Sequence, residues 1–379
     1  MKNYFGSRII RCMGIFILTV FFPAGCNLAE SKAEEIADSG SIVLMTWNIH
    51  NLFDGSDNGF EYDEYLESAG WSAEKYLGRL NAVSDAIGRI DPLPDIIVLQ
   101  EVESVRILED VAGHISGGYS HSHFAGNPGA ALGVGIISRF PISDTRVHTI
   151  TIGRDTTPRP VLEARVETAQ QAGSAQSELV VFACHWKSKL GGDDVTESVR
   201  RASAMAILRR IREIWETEPH IGIIVAGDLN ENHNEFYRQG ASSICALLPD
   251  DPYCAQLTGC VDAEGRPNPG KQKDFIVIGR NKPPAPVHFP DDVIVLYSPW
   301  LRDLENGSYY YRYNWETIDH FLISHQFFIN ENWNYVDTTI VNFQPFTGSG
   351  GIPSSYNTRT GSGLSDHLPL LLELKFSRE

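Results

Sequence analysis

Eight short apolar runs punctuate the chain, at residues 42–45, 96–99, 132–137, 180–183, 221–226, 293–297, 321–323 and 368–372. Continuous runs of this length, bounded by polar residues, mark strands covered on both faces; half-exposed strands alternate instead. Between the first two, Ser72 can cap a helix in which Leu77, Leu80, Val83, Ile87 and Ile90 recur at helical spacing, ended by Asp91-Pro92. A second helix is expected over 197–215, with Val199, Ala202, Ala206, Leu208 and Ile211 near one face and Arg200, Arg201, Arg209 and Arg210 as a solvated face. Strands with interspersed helices over one long region predict sheets covered by helices. With 379 residues and 42% hydrophobic residues, the chain can build one large core. The segment 170–176 reads as a polar hairpin turn, 249–290 as a long surface excursion and 356–363 as a polar loop.

The first forty residues stand apart. Lys2, Arg8 and Arg11 precede an apolar run over 12–22, and Pro23-Ala24-Gly25-Cys26 follows. This is a secretory signal, since spanning a bilayer needs about 20 apolar residues. Cys26 after Ala-Gly resembles a bacterial lipobox, which implies lipidation of that thiol, although Pro23 replaces the usual aliphatic residue. The expected organisation is a signal peptide over 1–25, a polar tether over 26–40 and a catalytic domain over 41–379. That makes an extracytoplasmic chain tethered to the bacterial envelope by a lipid anchor. The net charge of −17 becomes about −20 once three leader cations are removed, so no overall positive field draws in nucleic acid. In an oxidising compartment Cys254 and Cys260 are candidates for a local disulfide, and Cys245 can pair with either; Cys184 is the fourth thiol. No Cys-x-x-Cys pair suggests structural zinc.

Chemistry-bearing residues gather where the apolar runs begin or end: Trp47-Asn48-Ile49-His50-Asn51, Gln100-Glu101, His185-Trp186-Lys187-Ser188, Gly227-Asp228-Leu229-Asn230, Ile318-Asp319-His320 and Ser365-Asp366-His367. One such cluster is an ordinary turn or cap. Six of them place several costly carboxylates at strand ends, which makes sense chiefly around a cation. Oxygen and amide donors with few thiols suit a hard ion such as Mg²⁺. Imidazoles beside carboxylates suit proton transfer or phosphate binding. The run Tyr309-Tyr310-Tyr311-Arg312-Tyr313 can stack on bases, but its alternation favours packing.

This ordered series resembles the endonuclease/exonuclease/phosphatase superfamily from about Ser41 to the C-terminus, and its opening Trp47-Asn48-Ile49-His50-Asn51-Leu52-Phe53-Asp54 resembles bacterial secreted members. The resemblance implies an α/β (α+β) four-layer αββα sandwich, two packed mixed sheets flanked by helices, with the site at one end of the sheets. It implies a Mg²⁺-dependent phosphodiesterase, with Mn²⁺ as a substitute. Glu101 and Asn48 would ligate the metal, and Asp366 would ligate a second ion or reach the first through water. Asp228 would activate water, and Asn230 would hold water or a phosphate oxygen. Asp319 would orient His367, and His367 would contact phosphate or act as base. His185 matches the deoxyribonuclease-like histidine, and Arg159 more loosely a phosphate-contacting arginine. The expected substrate is DNA or RNA, with a sphingomyelinase-like activity as the rival and a non-catalytic, ligand-binding surface lipoprotein as the alternative of another class. A monomer is expected.

Overall fold

The computed structural model describes residues 40–157, 159–168, 177–268, 273–281, 287–302, 304, 306–329 and 332–377. The expected signal peptide over 1–25, residues 26–39 of the expected tether with Cys26, and the expected turn at 170–176 lie outside them. All eight apolar runs fall in or overlap strands. In chain order these and their partners are β1 (Ser41–Leu52), β2 (Ile96–Val102), β3 (His121–Ala125), β4 (Gly133–Ser138), β5 (Ile142–His148), β6 (Val161–Thr168) and β7 (Ser177–His185). They continue as β8 (Gly222–Asp228), β9 (Leu247–Pro249), β10 (Ile276–Gly279), β11 (Val295–Tyr297), β12 (Asp319–Ile323), β13 (Trp333–Ile340) and β14 (Leu370–Phe376). One mixed sheet runs β13-β14-β1-β2-β4-β3 and the other β9-β10-β11-β12-β8-β7-β6-β5.

The side-chain period of two sorts each strand between two cores. In β1, Ile42 and Leu44 pack between the sheets with Val98, Val181, Ile224, Phe321 and Leu372. Met45 and Trp47 point the other way, against Leu80 and Val83 of α1 (Ala73–Ile87) and Leu108 of α2 (Val105–His114). On the far side Val180, Phe182, Ile223 and Val225 meet Ile207, Leu208 and Ile211 of α3 (Asp193–Thr217). The layers are therefore helix, sheet, sheet, helix. Among the described residues, no helix is long and apolar enough to cross a membrane.

Four expectations are corrected. Ser72 does cap α1, accepting from Lys75 N, but α1 ends at Ile87 and Leu77 is exposed, with Tyr76 buried instead. In α3 only Arg209 of the four arginines is exposed. Arg200 is fully buried on Glu231 (2.9 Å) and Glu197 (2.6 Å), and Arg210 binds Glu163. The segment 249–290 is no mere excursion, because it contributes β10 and a satellite core of Phe275, Val277 and Phe289. Cys184, Cys245, Cys254 and Cys260 are free and buried, the last three serving as small apolar side chains in that satellite core.

Candidate active site

The sheet faces that meet between the layers carry the polar residues at one end. In β7 the inward series is Leu179, Val181, Ala183 and then His185; in β8 it is Ile224, Ala226 and then Asp228; in β12 it is Ile323, Phe321 and then Asp319. Register aligns them, with Asp228 beside His185 on one flank and beside Asp319 on the other. Parity also excludes neighbours: Trp186 and Leu229 belong to the α3 core. Gly227 is required here. Its φ is +140°, and a Cβ would meet the Cys184 carbonyl oxygen at 2.0 Å.

The opposite sheet supplies Asn48 and Glu101. Strict alternation would send Glu101 toward the helices with Ile97 and Leu99. Instead the β2 pairing slips beyond Gln100, and Glu101 takes φ 62°, which re-aims its carboxylate. Asn48 Nδ2 then donates to both Glu101 Oε1 (3.2 Å) and Asp228 Oδ2 (3.0 Å), joining the two sheets. Its Oδ1 accepts from His50 N at 3.0 Å, so the amide bridges the carboxylates and does not turn its oxygen toward them. Asn51 N donates to Glu101 Oε2 at 3.0 Å. His50 and Asn51 have φ of 56° and 60°. The buried Arg79 of α1 holds this bent segment by donating to the carbonyls of Ile49, His50 and Asn51.

His367 enters from the loop before β14. Ser365 Oγ donates to Asn48 O (2.6 Å) and accepts from His367 N (3.0 Å), while Trp47 Nε1 donates to His367 O (2.9 Å). The ring contacts Asp319 Oδ2 through Nδ1 at 2.8 Å, and Ser308 Oγ donates to that same oxygen at 2.6 Å. Tyr309 stacks on the His367 ring, with centroids 4.5 Å apart and planes 28° apart.

The two histidines are tuned oppositely. Burial, with the positive charges of Arg159, His367 and Lys187, holds His185 well below the ordinary imidazole range. Burial also opposes charge on His367, but Asp319, Asp366 and Asp228 outweigh it and raise the group to about 10. Burial and the neighbouring Asp319 raise Asp228 to about 7. His185 Nε2 lies 3.5 Å from Asp228 Oδ2 and 3.7 Å from Glu101 Oε1. Asp228, Asp319 and His367 each offer a ligand atom within 4.8 Å of the others, and the buried Asp319 Oδ1 has no hydrogen-bond partner. The carboxylate oxygens of this group fit a hard divalent cation.

The remaining expected residues fall around this centre. Asn230 has φ 51°; its N–H donates to Asp228 Oδ1 (2.8 Å) and its Nδ2 to Trp186 O (3.2 Å). Arg159 donates to the same Trp186 carbonyl. Asp366 Oδ1 lies 3.5 Å from His50 Nδ1 and 4.0 Å from His367 Nε2. His320 is fully buried, with Nε2 on the Glu231 carbonyl. Arg79, Asn51, Ser308 and Tyr309 were absent from the residues singled out as candidate site residues. The Asn51 signal was its place in the first motif. Arg79 carried none, because nothing in a helix pattern marks a buried arginine.

A hydrolytic centre for phosphate esters, built on paired sheets, is the class this fold and site define. The chain belongs to the endonuclease/exonuclease/phosphatase family, whose model matches residues 43–242. No curated protein matches the sequence. Among solved structures, TDP2 from Caenorhabditis elegans shares the fold at a TM-score of 0.50 and 15% identity, covering 90% of this chain and 76% of its own. A family protein from Bacteroides thetaiotaomicron has a TM-score of 0.48 at 14% identity, covering 88% of this chain and 94% of its own. A mannosyl-6-phosphatase from the same species has 0.48 at 14%, covering 88% and 100%.

Proposed function

We propose that this hydrolase is a Mg²⁺-dependent phosphodiesterase acting on DNA or RNA outside the cytoplasm, tethered to the envelope through Cys26. The observation that carries the reading is geometric: two imidazoles, His185 and His367, flank the single carboxylate of Asp228 at 3.5 Å and 4.0 Å. A phosphodiester needs a proton taken from water and one returned to the leaving oxygen; Asp228 provides the acceptor and cationic His367 the donor.

Asp228 takes the water proton. The Asn230 N–H and the Asn48 amide hold its two oxygens in place. His367, cationic against Asp319, donates to a phosphate oxygen as negative charge accumulates. His185, held neutral on the other flank, is placed to hydrogen-bond a phosphate or leaving-group oxygen. Arg159, which donates to the Trp186 carbonyl, and Lys187 of the same loop stand on its side. They give a local cationic wall in a chain of net charge −17. Glu101 would hold the divalent ion beside Asp228, with Asp366 at the edge. When bound, the ion would neutralise phosphate charge and acidify water.

A second reading, phospholipid headgroup hydrolysis, is favoured by the exposed aromatics Phe60 and Tyr62. Parallel assays on single-stranded DNA, RNA and sphingomyelin vesicles, each with Mg²⁺ and with chelator, decide. Turnover of a nucleic acid in Mg²⁺ alone is expected. Turnover of sphingomyelin only would reassign the substrate, and no turnover would remove the proposal.

A further inference from the structure

The tyrosine-rich segment after residue 308 forms a two-stranded hairpin, Tyr309–Tyr311 against Asn314–Glu316. Alternation divides it. Tyr310 packs edge-on against Trp315 at 5.1 Å, and Trp315 leans on the helix-side core. Tyr309 and Tyr311 share the other face, stacked at 6.1 Å with planes only 12° apart. Tyr309 also stacks on His367, so one column of near-parallel rings leads from the site toward solvent. Arg312 lies over the Tyr311 ring at 5.0 Å.

The turn is unusual. Arg312 and Tyr313 have φ of 47° and 68°, the left-handed pair of a two-residue hairpin turn that favours Asn-Gly. Here a long cation and an aromatic occupy it, and Tyr313 is 92% exposed. Side chains that raise the conformational cost of a turn, at the mouth of a site, point to a role outside folding.

We infer that the hairpin is a stacking platform for a nucleobase next to the scissile phosphate, with Arg312 matching the neighbouring backbone charge. The inference rests on the nuclease reading and deepens it to single-stranded or unpaired nucleic acid, whose bases have free faces. A bilayer is the less fitting occupant. The tip is Tyr-Arg-Tyr-Asn, with hydroxyls and a charge where insertion needs apolar side chains.

The test compares kcat/KM of the full chain, in Mg²⁺, on a short single-stranded oligodeoxynucleotide and on the same backbone with abasic units. The wild-type chain is expected to prefer the base-bearing strand. Tyr311→Ala should cut that preference roughly tenfold or more, and Tyr311→Phe should retain it. An equal loss on both strands, an intact preference in Tyr311→Ala, or a loss in Tyr311→Phe would overturn the platform. So would weaker sedimentation of Tyr313→Ala with phosphatidylcholine vesicles while the oligonucleotide preference stays intact, which would assign the hairpin to a membrane. Failure of the wild-type chain to cleave either strand would instead remove the nuclease reading on which the platform rests.

Discussion

At the scale of single residues, the account turns on side chains whose neighbours are fixed. Glu101→Gln, Asp228→Asn, Asp319→Asn and His367→Ala are each expected to lower kcat by about 10²–10⁴-fold while the folded chain is retained, checked by steady-state kinetics beside circular dichroism. Arg79→Ala tests the missed positioning residue. Three carbonyls on the bent segment 49–51 lose their donor, so Asn51 no longer holds Glu101. The expected result is lower stability together with reduced turnover; a stable variant of wild-type activity would deny the segment its role. The candidate metal and acid–base residues could be picked out because each flanks an apolar run. Arg79 and Arg200 were not. Both sit in helices where an arginine reads as solvated, and only the tertiary fold shows the carbonyls and carboxylates that satisfy them.

At the scale of elements, strand parity decides which half of each motif reaches the site. His185 faces inward and Trp186 does not; the bulge at Glu101 reverses that rule where it is needed. Strands with continuous apolar runs could be read from sequence. Strands β5 and β13 could not, since they are partly exposed edge-region strands with polar alternation. Helix α3 is docked through charge as well as apolar packing. Arg200→Ala leaves Glu231 buried without its cation and is expected to cost about 3–5 kcal/mol in denaturant unfolding. Glu163 of β6, against His148 and Arg210, gives a pH signature. Burial would raise its pKa, but those two partners prevail and lower it from 4.5 to about 2. A depressed carboxyl contributes stability above pH 4.5 that fades as pH falls toward 2. Thermal melts of Glu163→Gln should therefore differ from wild type at pH 6 and converge near pH 2; a gap unchanged at pH 2 would contradict this.

At the scale of the whole molecule, the site exists only because two sheets meet. Asn48 and Glu101 come from one, His185, Asp228 and Asp319 from the other, and His367 from the loop that leads into β14. The order of the six motifs made this convergence legible, since a shared cation explains strand-end carboxylates that turns alone do not. The hairpin column was not legible, because alternating tyrosines look alike whether they pack or stack. The proposed tether belongs to this scale too: Cys26→Ala should move the protein from the membrane fraction to the soluble fraction, and an unchanged distribution would refute lipid anchoring. The most direct measurement is oligonucleotide hydrolysis by chelator-treated wild type and Glu101→Gln, before and after adding Mg²⁺. The wild type should fall silent in chelator and recover with Mg²⁺, while Glu101→Gln recovers little. Undiminished hydrolysis in chelator, or full recovery of Glu101→Gln, would contradict a metal-assisted centre shared between the sheets.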